Sequence, residues 1–147
     1  MASNIVYSGV PLIALKAAGP TSTISSSESD ITTYSVVSAD PYNAFNASTG
    51  VFTCPQSGYY QVEANMQIGA TFTTNDDNYV ALAVNSVVVM YGSARGVTGV
   101  IYVKPSLDTL VYCAAGDTIK LRVVSQGSSP AFVDATVDFV SIFLVNN

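Results

Sequence analysis

Residues 59–68 alternate strictly, with Tyr60, Val62, Ala64, Met66 and Ile68 on one side and Gln61, Glu63, Asn65 and Gln67 on the other. That period of two predicts a strand with one buried and one wet face. Residues 117–124 repeat the pattern: Ile119, Leu121 and Val123 point inward, Lys120 and Arg122 outward, after the turn signal Ala115-Gly116-Asp117. Residues 79–84 and 87–91 flank Asn85-Ser86, a two-residue link whose Asn tolerates positive φ, so they form a tight hairpin. Both faces of this hairpin are apolar. In the last strand Asp134, Thr136 and Asp138 supply a polar face at first, and residues 139–145 are apolar on both sides. Strands apolar on both faces are covered twice, by the opposite sheet and by something else.

Residues 42–60 read as turn, short strand, turn, long strand. Residues 46–50 and 55–58 are the two turn clusters, pinning a strand at 51–54 between them. With further runs at 10–15, 31–37, 98–104 and 107–113 the chain holds about ten short strands and no helical period, the signature of an all-β antiparallel sandwich or barrel. A jelly roll is one member of that class, and periodicity does not choose among them.

The segment carrying Tyr42, Phe45, Ser48-Thr49-Gly50, Phe52-Thr53-Cys54-Pro55 and Gly58-Tyr59-Tyr60 resembles the globular domain of the complement one-q family. That family is related in fold to tumour necrosis factor. Ala115-Gly116-Asp117 and the apolar last strand with Phe143 extend the resemblance over residues 34–145. It implies a jelly-roll β-sandwich of about ten strands that trimerises around a threefold axis and binds rather than catalyses. The domain is then expected at 31–147. An N-terminal arm at 1–30, which takes in the Ser/Thr-rich run 21–29, matches nothing in the pattern and is left open to include the first strand. The family's collagen-like stalk is absent from the sequence.

Composition sharpens this picture. At 147 residues the chain is one domain that buries roughly 70% of its unfolded surface. Charged residues make up only 10% of it, against about 25% in ordinary soluble domains, which suggests surface hidden in an assembly. The net charge of −5 with five basic residues leaves no basic stripe for nucleic acid. No run approaches the about 20 apolar residues of a membrane span. Residues 1–10 hold no basic residue ahead of the apolar run 10–15, so no secretion signal is expected and the mature chain is expected to start inside a cell.

Histidine is absent, which removes Ser-His-Asp and Cys-His catalysis and His-ligated zinc. Asp76, Asp77, Asp108, Asp134 and Asp138 read as loop acids. The oxygen-rich segment 73–78 makes Asp76 and Asp77 weak calcium candidates, without the spacing of a calcium loop. Asn46-Ala47-Ser48 matches a glycosylation acceptor and reads as a turn. Cys54 and Cys113 either pair or stay as free thiols packed like small apolar groups.

No enzyme, cofactor or small-molecule substrate is expected. The reading is a virion structural protein, a trimeric phage capsid cement or decoration protein that binds the major capsid protein on the capsid surface after assembly in the host cytoplasm. Its alternative is a receptor- or carbohydrate-binding head of a tail fibre or spore filament. Tyr59, Val140, Ile142 and Leu144 are the expected trimer contacts, and Leu12, Ile13 and Leu15 the expected capsid attachment, unless that run is the domain's own first strand.

Overall fold

The computed structural model describes residues 13–146. Every regular element among them is a strand: β1 (Ala14–Pro20), β2 (Ser29–Asp30), β3 (Tyr34–Ala39), β4 (Phe45–Asn46), β5 (Val51–Thr53), β6 (Gly58–Asn65), β7 (Ile68–Thr71), β8 (Asp77–Val84), β9 (Val87–Arg95), β10 (Tyr102–Val103), β11 (Ser106–Cys113), β12 (Thr118–Ser125), β13 (Ser128–Phe132) and β14 (Phe139–Asn146). A five-stranded sheet runs β11-β6-β14-β1-β3, and a six-stranded sheet runs β4-β5-β12-β8-β9 with β2 beside β12. A three-stranded sheet, β10-β7-β13, prolongs one end. Every pairing is antiparallel. This is an antiparallel jelly roll.

The core is the meeting of the two larger sheets' inward positions. From the first come Leu15, Ala17, Tyr60, Val62, Ala64, Val140 and Ile142; from the second, Phe52, Val80, Leu82, Ile119, Leu121 and Val123. The alternation of residues 60, 62, 64, 66 and 68 is obeyed at every position, all five being buried. Tyr60 is fully enclosed, meets Phe52 edge-on at 6.0 Å, and donates its hydroxyl to the Gln56 carbonyl at 2.6 Å, which holds the turn before β6. Burial, working against that hydrogen bond, pushes the Tyr60 phenol up to about 12.

The structure decides several sequence expectations, beginning with the two readings left open for residues 10–15. Ile13 and Leu15 are not exposed attachment contacts: they are 4% and 1% exposed and belong to the core. β1 lies between β14 and β3, with Leu15 opposite Ile142 and Ala17 opposite Val140. The apolar run finds its cover in the last strand of the chain, a partner that local sequence does not reveal. Leu12 lies outside the described residues. The Ser/Thr-rich stretch is likewise part of the domain, since Ile24 and Ile31 are buried and the Ile31 N–H donates to the Leu121 carbonyl at 2.9 Å. Residues 13–30 therefore contribute to the jelly roll, and β1 is the first strand that the expected arm was left open to include.

The last strand starts at Phe139, not at Asp134. Asp134 closes a turn, accepting from the N–H and hydroxyl of Thr136 at 2.9 and 2.6 Å. Asp138 is fully buried rather than on a wet face; it accepts the N–H of Gln67 and that of Asp134. Burial raises the Asp138 carboxyl above its usual value against the opposing pull of those donors. Finally, Val140 and Ile142, expected at a trimer interface, are each 2% exposed within the protomer's own core. Leu144 is half-buried against the same core. The parity of β14 is the reason: even positions face the opposite sheet and odd ones face out.

Candidate interaction surface

The register of the five-stranded sheet lines up its outward side chains in rows across the strands. One row holds Leu110, Gln61, Phe143 and Ala14; the next holds Asp108, Glu63, Ser141 and Lys16. A third brings Tyr112 of β11 opposite Tyr59 of β6, their rings edge-to-face at 5.3 Å. Leu110, Tyr112 and Tyr59 are 52%, 57% and 49% exposed. Apolar side chains of this size, side by side on one sheet face, mark a surface built to be covered.

The charged row has its own logic. Asp108 and Glu63 stand directly opposite each other, an unfavourable like-charge pairing on an isolated face. The Gln61 side-chain amide donates to Asp108, and Lys16 closes the row beyond Ser141. A face with acids at one side and a cation at the other carries its own complement.

The surface continues around the edge of the sandwich. β9 and β11 are the end strands of the two larger sheets, and they close on each other at Gly92. A Cβ on Gly92 would lie 1.8 Å from the Ser106 carbonyl oxygen, so only glycine lets the sheets approach this nearly. Along β9, Val87, Val89, Met90 and Tyr91 are exposed, with Tyr91 edge-on to Tyr79 at 5.2 Å. Of the four expected trimer contacts only Tyr59 lies on this surface. Leu110, Tyr112, Phe143, Met90 and Tyr91 went unrecognised. The alternation Asp108, Leu110, Tyr112 against buried Leu107 and Cys113 was the available signal, and it needs the register to be read.

A second apolar patch lies at the end of the sandwich formed by the small sheet. Ile101, Tyr102 and Val133 are 74%, 45% and 50% exposed, around a floor made by Gly69 and Ala131. A Cβ at Gly69 would clash with Val133, which fixes their contact. Lys104 sits 5.6 Å over the Tyr102 ring.

The calcium candidates are engaged internally. Asp76 accepts from the N–H and the hydroxyl of Thr73, both at 2.7 Å, and these bonds lower its carboxyl below the usual value. Asp77 pairs with Arg95 at 2.9 Å. Among the described residues no group of three potential ligands converges on one point. The acceptor residue Asn46 turns its side-chain oxygen to the N–H groups of Ser48 and Thr49 at 3.0 and 3.2 Å, as a turn requires. It also borders a shallow groove of about 670 Å³ with Asn43, Phe45, Thr49, Val51 and Thr53.

Comparison with known proteins agrees with this architecture. A family model described as the C1q domain matches residues 15–144. No curated protein matches the sequence. Among solved structures, the globular domain of zebrafish complement 1qA is similar at 16% identity over 91% of this chain and 98% of that one, with a TM-score of 0.63. Eiger TNF from S. frugiperda is similar at 13% identity, 94% and 95% coverage and a TM-score of 0.68. Murine APRIL at pH 5.0 is similar at 11% identity, 90% and 98% coverage and 0.64. At these identities the likeness is one of fold.

Proposed function

Because this chain belongs to the C1q domain family, we propose that it works as a homotrimeric, non-enzymatic binding module, and that its particular task is to cement a virus shell. C1q/TNF-like domains are generally non-enzymatic and commonly trimeric. The observation that carries the trimer is that one protomer bears both an apolar edge, β9 with β11, and an outward face on β6 and β14 where Tyr59 and Phe143 lie beside a charged row. Edge and face are different surfaces, so their contact is heterologous and closes into a ring when the rotation per subunit is a third of a turn. Each protomer offers its edge to the next one's face. Tyr59, Tyr112, Leu110 and Phe143 are then buried, and Lys16 comes within reach of a neighbour's acids.

The small-sheet patch supports the shell-binding part of the reading. Ile101 and Val133 border the three-stranded sheet and not β6, β9, β11 or β14, so the proposed contact leaves them exposed on each protomer. A phage-type capsid lattice, through its major capsid protein, is the proposed partner, and the capsid surface the proposed location. Binding only the assembled lattice stabilises it by linkage. The test is to add purified trimer to particles that lack it and measure occupancy. Ile101→Asp with Val133→Asp is expected to leave the trimer intact and to abolish decoration. Undiminished decoration by that variant removes the patch from the reading. A wild-type trimer that ignores shells and instead binds cell-surface glycans favours a receptor- or carbohydrate-binding head, for which the neutral groove beside Phe45 is the site to mutate.

A further inference from the structure

We propose that Cys54 and Cys113 are an oxidisable pair whose disulfide staples the two large sheets together. Cys54 follows β5 of the six-stranded sheet, and Cys113 ends β11 of the five-stranded sheet. They are 1% and 0% exposed, both are free thiols, and each lies near enough to the other to bear on its ionisation. Two thiols from separate sheets thus lie near each other within the core.

The backbone around them is held by one turn. The Cys54 N–H donates to the Asp117 carbonyl at 2.8 Å, and the Gly116 N–H donates to the Cys54 carbonyl at 2.9 Å. The Ala114 N–H, next to Cys113, donates to the Asp117 carboxylate at 2.8 Å. The chain that leaves Cys113 therefore wraps directly over Cys54. The disulfide has an S–S length of about 2.05 Å, and the hydrogen bonds of this turn already hold the chain at the two cysteines together.

A low-molecular-weight disulfide such as oxidised glutathione is the electron acceptor. One cysteine loses its proton and its thiolate attacks the reagent, forming a mixed disulfide and releasing one glutathione thiolate. The second cysteine, once deprotonated, displaces the other glutathione and forms the Cys54–Cys113 bond. Two thiols are oxidised, one disulfide is reduced, and both protons end on the released glutathiones. In the folded chain burial, which is the main cause, and the nearby Asp117 charge raise both thiols, so few thiolates form and the reagent has little access. Closure accordingly happens while the chain folds, and the state of the pair records whether folding took place in reducing or oxidising surroundings. Because the bridge spans a long loop of chain, it narrows the unfolded ensemble and raises the melting temperature.

The experiment refolds the full chain from denaturant with oxidised glutathione, then denatures it again, alkylates free thiols and measures the intact mass. Complete absence of alkylation, monomeric on a non-reducing gel, with a melting temperature several degrees above that of the same sample reduced with a phosphine, is the expected result. Alkylation of both cysteines, a glutathione adduct or linked dimer as the main product, or a closed form that melts no higher, each overturns the proposal. The Cys54→Ala variant is expected to lose the difference between oxidised and reduced melts; should it not fold, the wild-type comparison still decides. These readouts do not depend on trimerisation or shell binding.

Discussion

Tyr59 and Tyr112 stand directly opposite each other on neighbouring strands, their rings 5.3 Å apart at 70°, and about half of each remains open to solvent. An edge-to-face pair contributes about 0.5–1.5 kcal/mol beyond simple burial. Placed outside the sheet rather than inside it, the pair also forms a rigid apolar knob at the corner where face and edge meet. It is the natural centre of the proposed threefold contact.

Sedimentation equilibrium of the wild type is expected to give three times 15.3 kDa. Leu110→Asp places an unpaired charge at the covered edge and should yield a folded monomer. Tyr112→Ala should weaken association by about 2 kcal/mol, the scale of a buried aromatic anchor. A wild-type protein that stays monomeric at high concentration defeats the trimer altogether.

Two adjacent residues of β14 should respond in opposite ways. Ile142→Asp puts a charge at a position 2% exposed inside the protomer and is expected to abolish cooperative melting, at a cost above about 3 kcal/mol. Phe143→Asp alters the outward face, so it should keep the strand-rich circular dichroism spectrum and lose the trimer. If Ile142→Asp folds and merely dissociates, the assignment of the two faces is reversed.

Gly92→Ala is expected to destabilise the fold by roughly 1–3 kcal/mol, the usual range for overpacking. Its new Cβ would meet the backbone of Ser106, which cannot rotate out of the way as a side chain would. Chemical denaturation measures the loss directly, and a neutral result means that the sheets close less tightly at this edge.

On the outer face of the six-stranded sheet, Asp30 bonds Lys120 at 2.7 Å and Arg122 at 3.0 Å. Burial alone would raise its carboxyl, but the hydrogen bonds and charges of the two cations together outweigh it and lower the pKa from 3.8. The resulting stabilisation is full above that unfolded value and disappears as pH falls through the depressed folded one. With a side chain 40% exposed the pair is screened, so Asp30→Asn should cost at most about 1 kcal/mol at neutral pH. Melting curves of variant and wild type should converge in strong acid. A gap that persists there would mean that Asp30 acts through shape rather than charge.

Strand periodicity and turn chemistry were legible in the chain wherever they are local. Residues 60–68 and 119–123 obey their alternation because a half-buried strand imposes a period of two on its own residues. The Phe-Thr-Cys-Pro turn region and the shortage of charge pointed to an assembling jelly roll by resemblance and composition. What the chain could not disclose alone was partnership between distant segments. Leu15 lies against Ile142, Ile31 bonds Leu121, and Cys54 lies beside the turn that follows Cys113 only because the fold carries them together. In a strand apolar on both faces, such as 139–145, parity says that the faces differ but not which one meets the core. Register with β6 and β1 decides it, burying Val140 and Ile142 and leaving Phe143 to the outer face, since one step along a strand turns a side chain to the opposite side of the sheet.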